Sequence, residues 1–198
     1  MIFEDGKLMA TGGERLEKRY EEYAYILDFI RHRRPGTRQH REGILIQVIG
    51  EEYFTLLEAV VRENTALKLH DRVYVGKDSR EEVIYIIGRI GYEDLTTAAK
   101  MELDVAVEKI VLYKEVWFLN FFNGAQAITP RMHALELIPG IGKKYMWQIL
   151  NERERKPFIS FKDLQERANL PNPAKLITKR ILEELAGESK YRLFTRPM

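Results

Sequence analysis

Hydrophobic positions along the chain change their period near Gly91. Before it, apolar residues fall in short runs rich in β-branched and aromatic types: residues 23–29 (Tyr-Ala-Tyr-Ile-Leu-Asp-Phe), 43–49, 53–61, 72–76 and 83–90. Turn residues separate these runs, which predicts five short strands. After Gly91, Leu103, Val107, Ile110, Val111 and Trp117 recur at helical intervals, which predicts one long helix opening near Asp94 and stopped by Asn123-Gly124. Phe118, Leu119, Phe121 and Phe122 thicken that stripe and are expected in the core. Residues 129–186 predict four helices in two helix–turn–helix units. The first opens at Thr129-Pro130 and ends near Ile138, and the second covers 143–152. The third lies behind a Ser160 cap and runs to Ala168, and the fourth follows Leu170-Pro171-Asn172-Pro173 with Leu176, Ile177, Ile181, Leu182 and Leu185 on its apolar side.

Five closely spaced strands without helices between them indicate a small barrel or sandwich, and an OB-like β-barrel is the natural candidate. The expected class is therefore α+β, with an N-terminal arm at 1–22, a barrel at 23–91, bridging helices at 92–128 and a helical domain at 129–198. The arm is polar and is expected to be loosely attached. The tail after Gly187 looks poorly structured, although Tyr191, Leu193 and Phe194 offer apolar groups that could dock back.

One stretch of the helical domain carries chemistry. In Leu137-Ile138-Pro139-Gly140-Ile141-Gly142-Lys143-Lys144, an apolar run stops at a proline, two glycines frame an isoleucine, and two lysines open the next helix. Pro139 cannot continue a helix, and glycines reach backbone angles closed to other residues. A helix start of this kind favours an anion, because unpaired N–H groups and the helix dipole both attract negative charge. Backbone donors at Gly140, Ile141 and Gly142 are expected to bond a phosphate, with Lys143 and Lys144 adding charge. The plainer alternative is a compact connection in which Ile141 plugs the core.

Charge strengthens the anion reading. The net charge is only +2, yet residues 131–198 hold 14 Lys/Arg against 8 Asp/Glu, while 1–130 hold 18 against 22. A second basic element lies between the first two predicted strands, where residues 31–41 carry Arg31, Arg33, Arg34, Arg38 and Arg41 around Pro35-Gly36 with no acid. It is expected to clamp a nucleic-acid backbone with salt-dependent affinity. Among the barrel aromatics Tyr53, Phe54, Tyr74 and Tyr85, alternation turns about half inward, and Tyr53 and Tyr74 are the candidates for base stacking.

Other chemistries find little support. There is no cysteine, and His32, His40, His70 and His133 lack metal-ligand spacing, so no metal or cofactor is expected. No P-loop or dinucleotide fingerprint occurs. No apolar run approaches a membrane span, and the first residues lack a signal-peptide pattern, so a cytoplasmic location is expected.

The stretch from Leu137 through Lys144 and on to Ile149 resembles the helix-hairpin-helix motif: an apolar residue, Pro-Gly-apolar-Gly, then an apolar residue seven after the second glycine. Residues 158–164 are similar to the connector of tandem hairpin domains. Two departures stand out. Met146 occupies a position that is often small, and the second hairpin has Asn172 between prolines in place of the glycines, so binding is expected at the first hairpin alone. From about Tyr23 onward the chain resembles an archaeal family of unknown function that joins an OB-like N-terminal domain to a C-terminal helix-hairpin-helix domain. The resemblance rests also on residues 50–58 and 73–78. It implies the fold and a nucleic-acid ligand, RNA favoured over DNA, and supplies no reaction; with no catalytic constellation around the hairpin, a non-catalytic protein is expected. The alternatives are a protein-interaction module of a ribosomal or transcription assembly, or a DNA-repair type helix-hairpin-helix enzyme with Asp163 as its acid.

Overall fold

The computed structural model describes residues 2–4, 7–9, 20–30 and 43–196. The chain divides into two compact units, Arg15–Val107 with Arg196–Met198, and Glu108–Thr195 with Met1–Glu14. The class is α+β. In the arm, β1 (Ile2–Glu4) pairs antiparallel with β2 (Lys7–Met9).

In the first unit the five predicted strands are present as β3 (Tyr23–Ile30), β4 (Ile44–Gly50), β5 (Leu56–Val61), β6 (Arg72–Tyr74) and β7 (Val83–Arg89). All pairings are antiparallel, in the order β6-β3-β4-β5-β7, and the sheet curls into a half-barrel compatible with an OB-like barrel. Alternate residues Ala24 and Ile26, Ile46 and Val48, and Leu57, Ala59 and Val61 fill its interior with Val73, Val75 and Val83. Strand β5 starts later than the apolar run suggests. The buried Glu21 carboxylate accepts N–H bonds from Glu52 (2.8 Å), Tyr53 (3.1 Å) and Thr55 (3.0 Å), and those donors are thereby lost to the ladder. Phe54 inside this turn is buried at φ 55°. A Cβ on Gly50 would lie 2.0 Å from the Glu21 carboxyl carbon, so only glycine lets that carboxylate in.

The helical pattern resolves into two helices, α1 (Thr97–Tyr113) and α2 (Glu115–Gly124), broken at Lys114. Thr96 fixes the first start: its hydroxyl accepts the Ala99 N–H at 3.0 Å and donates to Asp28 at 2.6 Å. The buried Gln47 side chain accepts the Thr96 N–H at 2.8 Å and donates to Glu58 and to the Asp94 carbonyl, both at 3.0 Å. In the second unit, Phe118, Phe121 and Phe122 are buried as expected.

Residues 129–138 differ from expectation. In place of a helix, β8 (Ala127–Thr129) and β9 (Met132–His133) pair across a turn at Pro130 and Arg131, followed by a 3-10 turn at Ala134–Leu137. His133 Nδ1 accepts the Leu135 N–H (3.1 Å) while the Glu136 carboxylate accepts the His133 N–H (2.9 Å), so helical geometry begins only at Ala134. Pro139 ends it five residues later. One turn is all that fits, and single turns take the tighter geometry.

Three helices follow: α3 (Lys143–Arg155), α4 (Phe161–Ala168) and α5 (Pro173–Leu185). Ser160 caps α4 by accepting the Asp163 N–H at 3.0 Å, and Asn172 caps α5 by accepting that of Lys175 at 3.2 Å. The tail docks: Leu193 and Phe194 are buried, with the Phe194 ring 5.3 Å from Phe118 and 5.1 Å from Phe121. Glu184, fully buried on α5, accepts the N–H groups of Leu193 (2.7 Å), Phe194 (3.1 Å) and Thr195 (2.9 Å) and the Thr195 hydroxyl (3.0 Å). It also accepts Arg180 Nε at 2.8 Å, and the same guanidinium donates to the carbonyls of Leu137 (2.9 Å) and Tyr191.

Burial, chiefly, and the nearby Arg153 charge hold His133 below the ordinary histidine value. The folded unit then binds this proton less readily than the unfolded chain. Its contribution is present above about pH 6.5 and is lost as pH falls through the lowered folded value. Protonation at Nδ1 would also remove the cap acceptor. Denaturation at about pH 7.5 and about pH 5 is expected to show a smaller acid loss in His133→Asn, which keeps a capping oxygen that does not titrate.

Candidate nucleic-acid interface

The turn from Leu137 to α3 is short and internally bonded. The Ile138 N–H reaches the Leu135 carbonyl at 3.1 Å, and the Ile141 N–H reaches that of Ile138 at 3.0 Å. Gly140 sits at φ +90°, a conformation that favours glycine, and a Cβ there would press on the Leu176 side chain at 3.1 Å. Ile141 is 2% exposed and plugs the core as the plainer reading held, and its N–H is committed inside the turn. Pro139 is half-buried and shapes the bend.

Gly142 is a different case. It is the N-cap of α3 at φ −84° and ψ −179°, angles open to any residue, and a Cβ there would meet nothing within 4 Å. No side chain caps this helix, and its first backbone bond runs from the Met146 N–H to the Gly142 carbonyl at 3.0 Å. The N–H groups of Gly142, Lys143, Lys144 and Tyr145 therefore have no acceptor within the helix. Gly142, Lys143 and Lys144 are exposed, so donors, dipole and two ammonium groups share one solvent-facing end.

The other sequence candidates divide. Arg31, Arg33, Arg34, Arg38 and Arg41 lie outside the described residues. Tyr53 is half-buried in the turn that Glu21 caps, and the Arg196 guanidinium lies 3.7 Å over its ring. Tyr74 packs edge-on against Tyr23 at 5.3 Å, and its hydroxyl is 3.2 Å from Asp78. Both rings are engaged in packing. Asp163 accepts the Ile159 N–H at 3.2 Å and pairs with Arg167 at 3.1 Å, which ties it to the start of α4.

Sequence reasoning passed over Trp147. It stands on α3 with 58% of its surface exposed, four residues after Lys143 and three after Lys144. Counting helical spacing back from it would have placed it beside both lysines. Among the described residues, no group of three or more His, Asp or Glu is arranged to hold a metal, and no helix is long and apolar enough to cross a membrane.

Comparison with known proteins agrees with the resemblance as far as an archaeal family of unknown function. Residues 20–196 match a family described as "Protein of unknown function (DUF655)". The uncharacterized protein MJ0038 of Methanocaldococcus jannaschii is 41% identical over 181 residues, covering 90% of this chain and 82% of the relative. The crystal structure of Af1531 from Archaeoglobus fulgidus, of the same family, superposes with a TM-score of 0.80 at 46% identity, covering 89% of this chain and all of that one.

Proposed function

This chain belongs to the DUF655 family, and for it we propose a non-catalytic, cytoplasmic nucleic-acid-binding role, RNA favoured over DNA, exercised through the backbone at the start of α3. The carrying observation is the cap. Helices α4 and α5 close their N-termini with Ser160 and Asn172, whereas α3 leaves its donors open behind a glycine that the fold does not require. A polar cap would add a few tenths of a kcal/mol or more to the helix. Forgoing it beside two exposed lysines leaves room for a phosphate. In this reading the 3-10 turn, the 138–142 bend and α3 form a helix-hairpin-helix unit whose entry helix is one turn long. The half-barrel is an OB-type domain, and the arginine-rich residues 31–41 supply a second grip. Contacts of this type position a strand without reading its bases.

Titration of labelled single-stranded RNA, duplex RNA and duplex DNA at two salt concentrations tests this. Binding should weaken steeply with salt. Gly142→Asp fits the open backbone and caps the helix, so it should leave the melting temperature unchanged or higher while weakening binding by about tenfold or more, through charge repulsion and loss of the open donors. No binding to any of the three at low salt would overturn the proposal. A protein-docking role is the second reading, favoured by Leu112, Tyr113 and Val116, which lie exposed along the end of α1 and the start of α2.

A further inference from the structure

We propose that Trp147 is a base-stacking platform, so that the ligand of this hairpin is a strand with unpaired bases. The inference rests on the phosphate-binding reading and assigns the next contact along the ligand. Residues three and four apart on a helix are surface neighbours, so Trp147 shares its face with both Lys143 and Lys144. The buried side of α3 is carried by Met146 and Ile149, which leaves the indole turned to solvent at 58% exposure. An indole has a large apolar face, and a soluble protein gains nothing for its stability by leaving one bare.

Its neighbours select the occupant. An apolar protein partner would have to cover two ammonium groups along with the ring, at a desolvation cost. A nucleotide matches both halves, with its phosphate at the lysines and helix donors and its base on the indole. At 1.5 Å per residue, Trp147 lies about 7.5 Å along the axis from Gly142, within the reach of one nucleotide from phosphate to base. Glu154, exposed seven residues beyond Trp147, is about 10 Å further on and leaves the lysine end basic. A duplex buries its base faces in its own stack and offers the ring nothing, so stacking of this kind belongs to single strands.

The test uses the full chain with three probes of equal length: a single-stranded oligouridylate, the same ribose-phosphate chain without bases, and duplex RNA. Trp147→Ala should weaken oligouridylate binding roughly tenfold, within the about 5- to 150-fold range for losing one stacked base. It should leave the abasic chain and the duplex unaffected. Trp147→Phe should retain most of the affinity. Oligouridylate should quench a component of the fluorescence that is missing in Trp147→Phe, the other tryptophan being Trp117. Equal loss on all three probes, or none on any, would overturn the stacking role while leaving phosphate binding standing. Failure of the unaltered protein to bind any probe, with Lys143→Glu/Lys144→Glu indistinguishable from it, would remove the phosphate reading and this inference together.

Discussion

Glu184→Ala is expected to destabilise the helical unit by about 3–5 kcal/mol, the range for removing one partner of a buried ion pair. The change leaves the Arg180 charge without its acid and three backbone N–H groups and one hydroxyl of residues 193–195 without their acceptor. Unpaired buried donors carry their full desolvation penalty. The tail would peel away, and Phe194 would leave its place against Phe118 and Phe121. Chemical denaturation followed by near-ultraviolet dichroism measures this, with a melting temperature lower by about 12 °C or more for a unit of this size. Glu184→Gln keeps the shape and one acceptor oxygen, so its loss should be smaller. A cost under about 1 kcal/mol for the alanine variant would show that water replaces the carboxylate freely.

The second large effect belongs to the half-barrel. Glu21→Ala is expected to cost about 3 kcal/mol, because charge-assisted bonds to three backbone donors of the 50–55 turn, those of Glu52, Tyr53 and Thr55, disappear together. Burial pushes the Glu21 carboxyl above its ordinary value, while the N–H bonds pull it the other way. Gly50→Ala should have a comparable effect by another route, since its methyl group would displace the carboxylate. Amide hydrogen exchange checks both: protection should fall at Glu52, Tyr53 and Thr55 first. Unchanged protection there would mean that the turn holds itself.

The strands were legible because β-branched runs and alternation report the two faces of a sheet directly, and β3, β4 and β7 lie close to their apolar runs. Apolar spacing does not distinguish a 3-10 turn from the start of an α-helix, and Thr129-Pro130 suits a tight turn as well as a helix start. That ambiguity hid the β8–β9 hairpin. The break at Lys114 left no mark, since the apolar stripe continues on both sides of it. The docked tail was legible only as apolar side chains. A glutamate in an amphipathic helix reads as a surface residue until the backbone that reaches it is known, and that backbone lies nine to eleven residues further along the chain. At the candidate site, the glycines and lysines stood out by type and spacing. Trp147 did not, because an aromatic on a helix is ordinarily core, and only the solvent on its face shows otherwise.

The Glu184 cluster also ties the docked tail to a distant part of the helical unit. Residues 193–195 supply most of the donors to its carboxylate. Arg180 donates to this carboxylate, and the same guanidinium holds the Leu137 carbonyl at the entrance to the 138–142 bend. The bend that presents the candidate site is therefore secured by a residue whose other partners include the tail, so loosening the tail is felt at the bend.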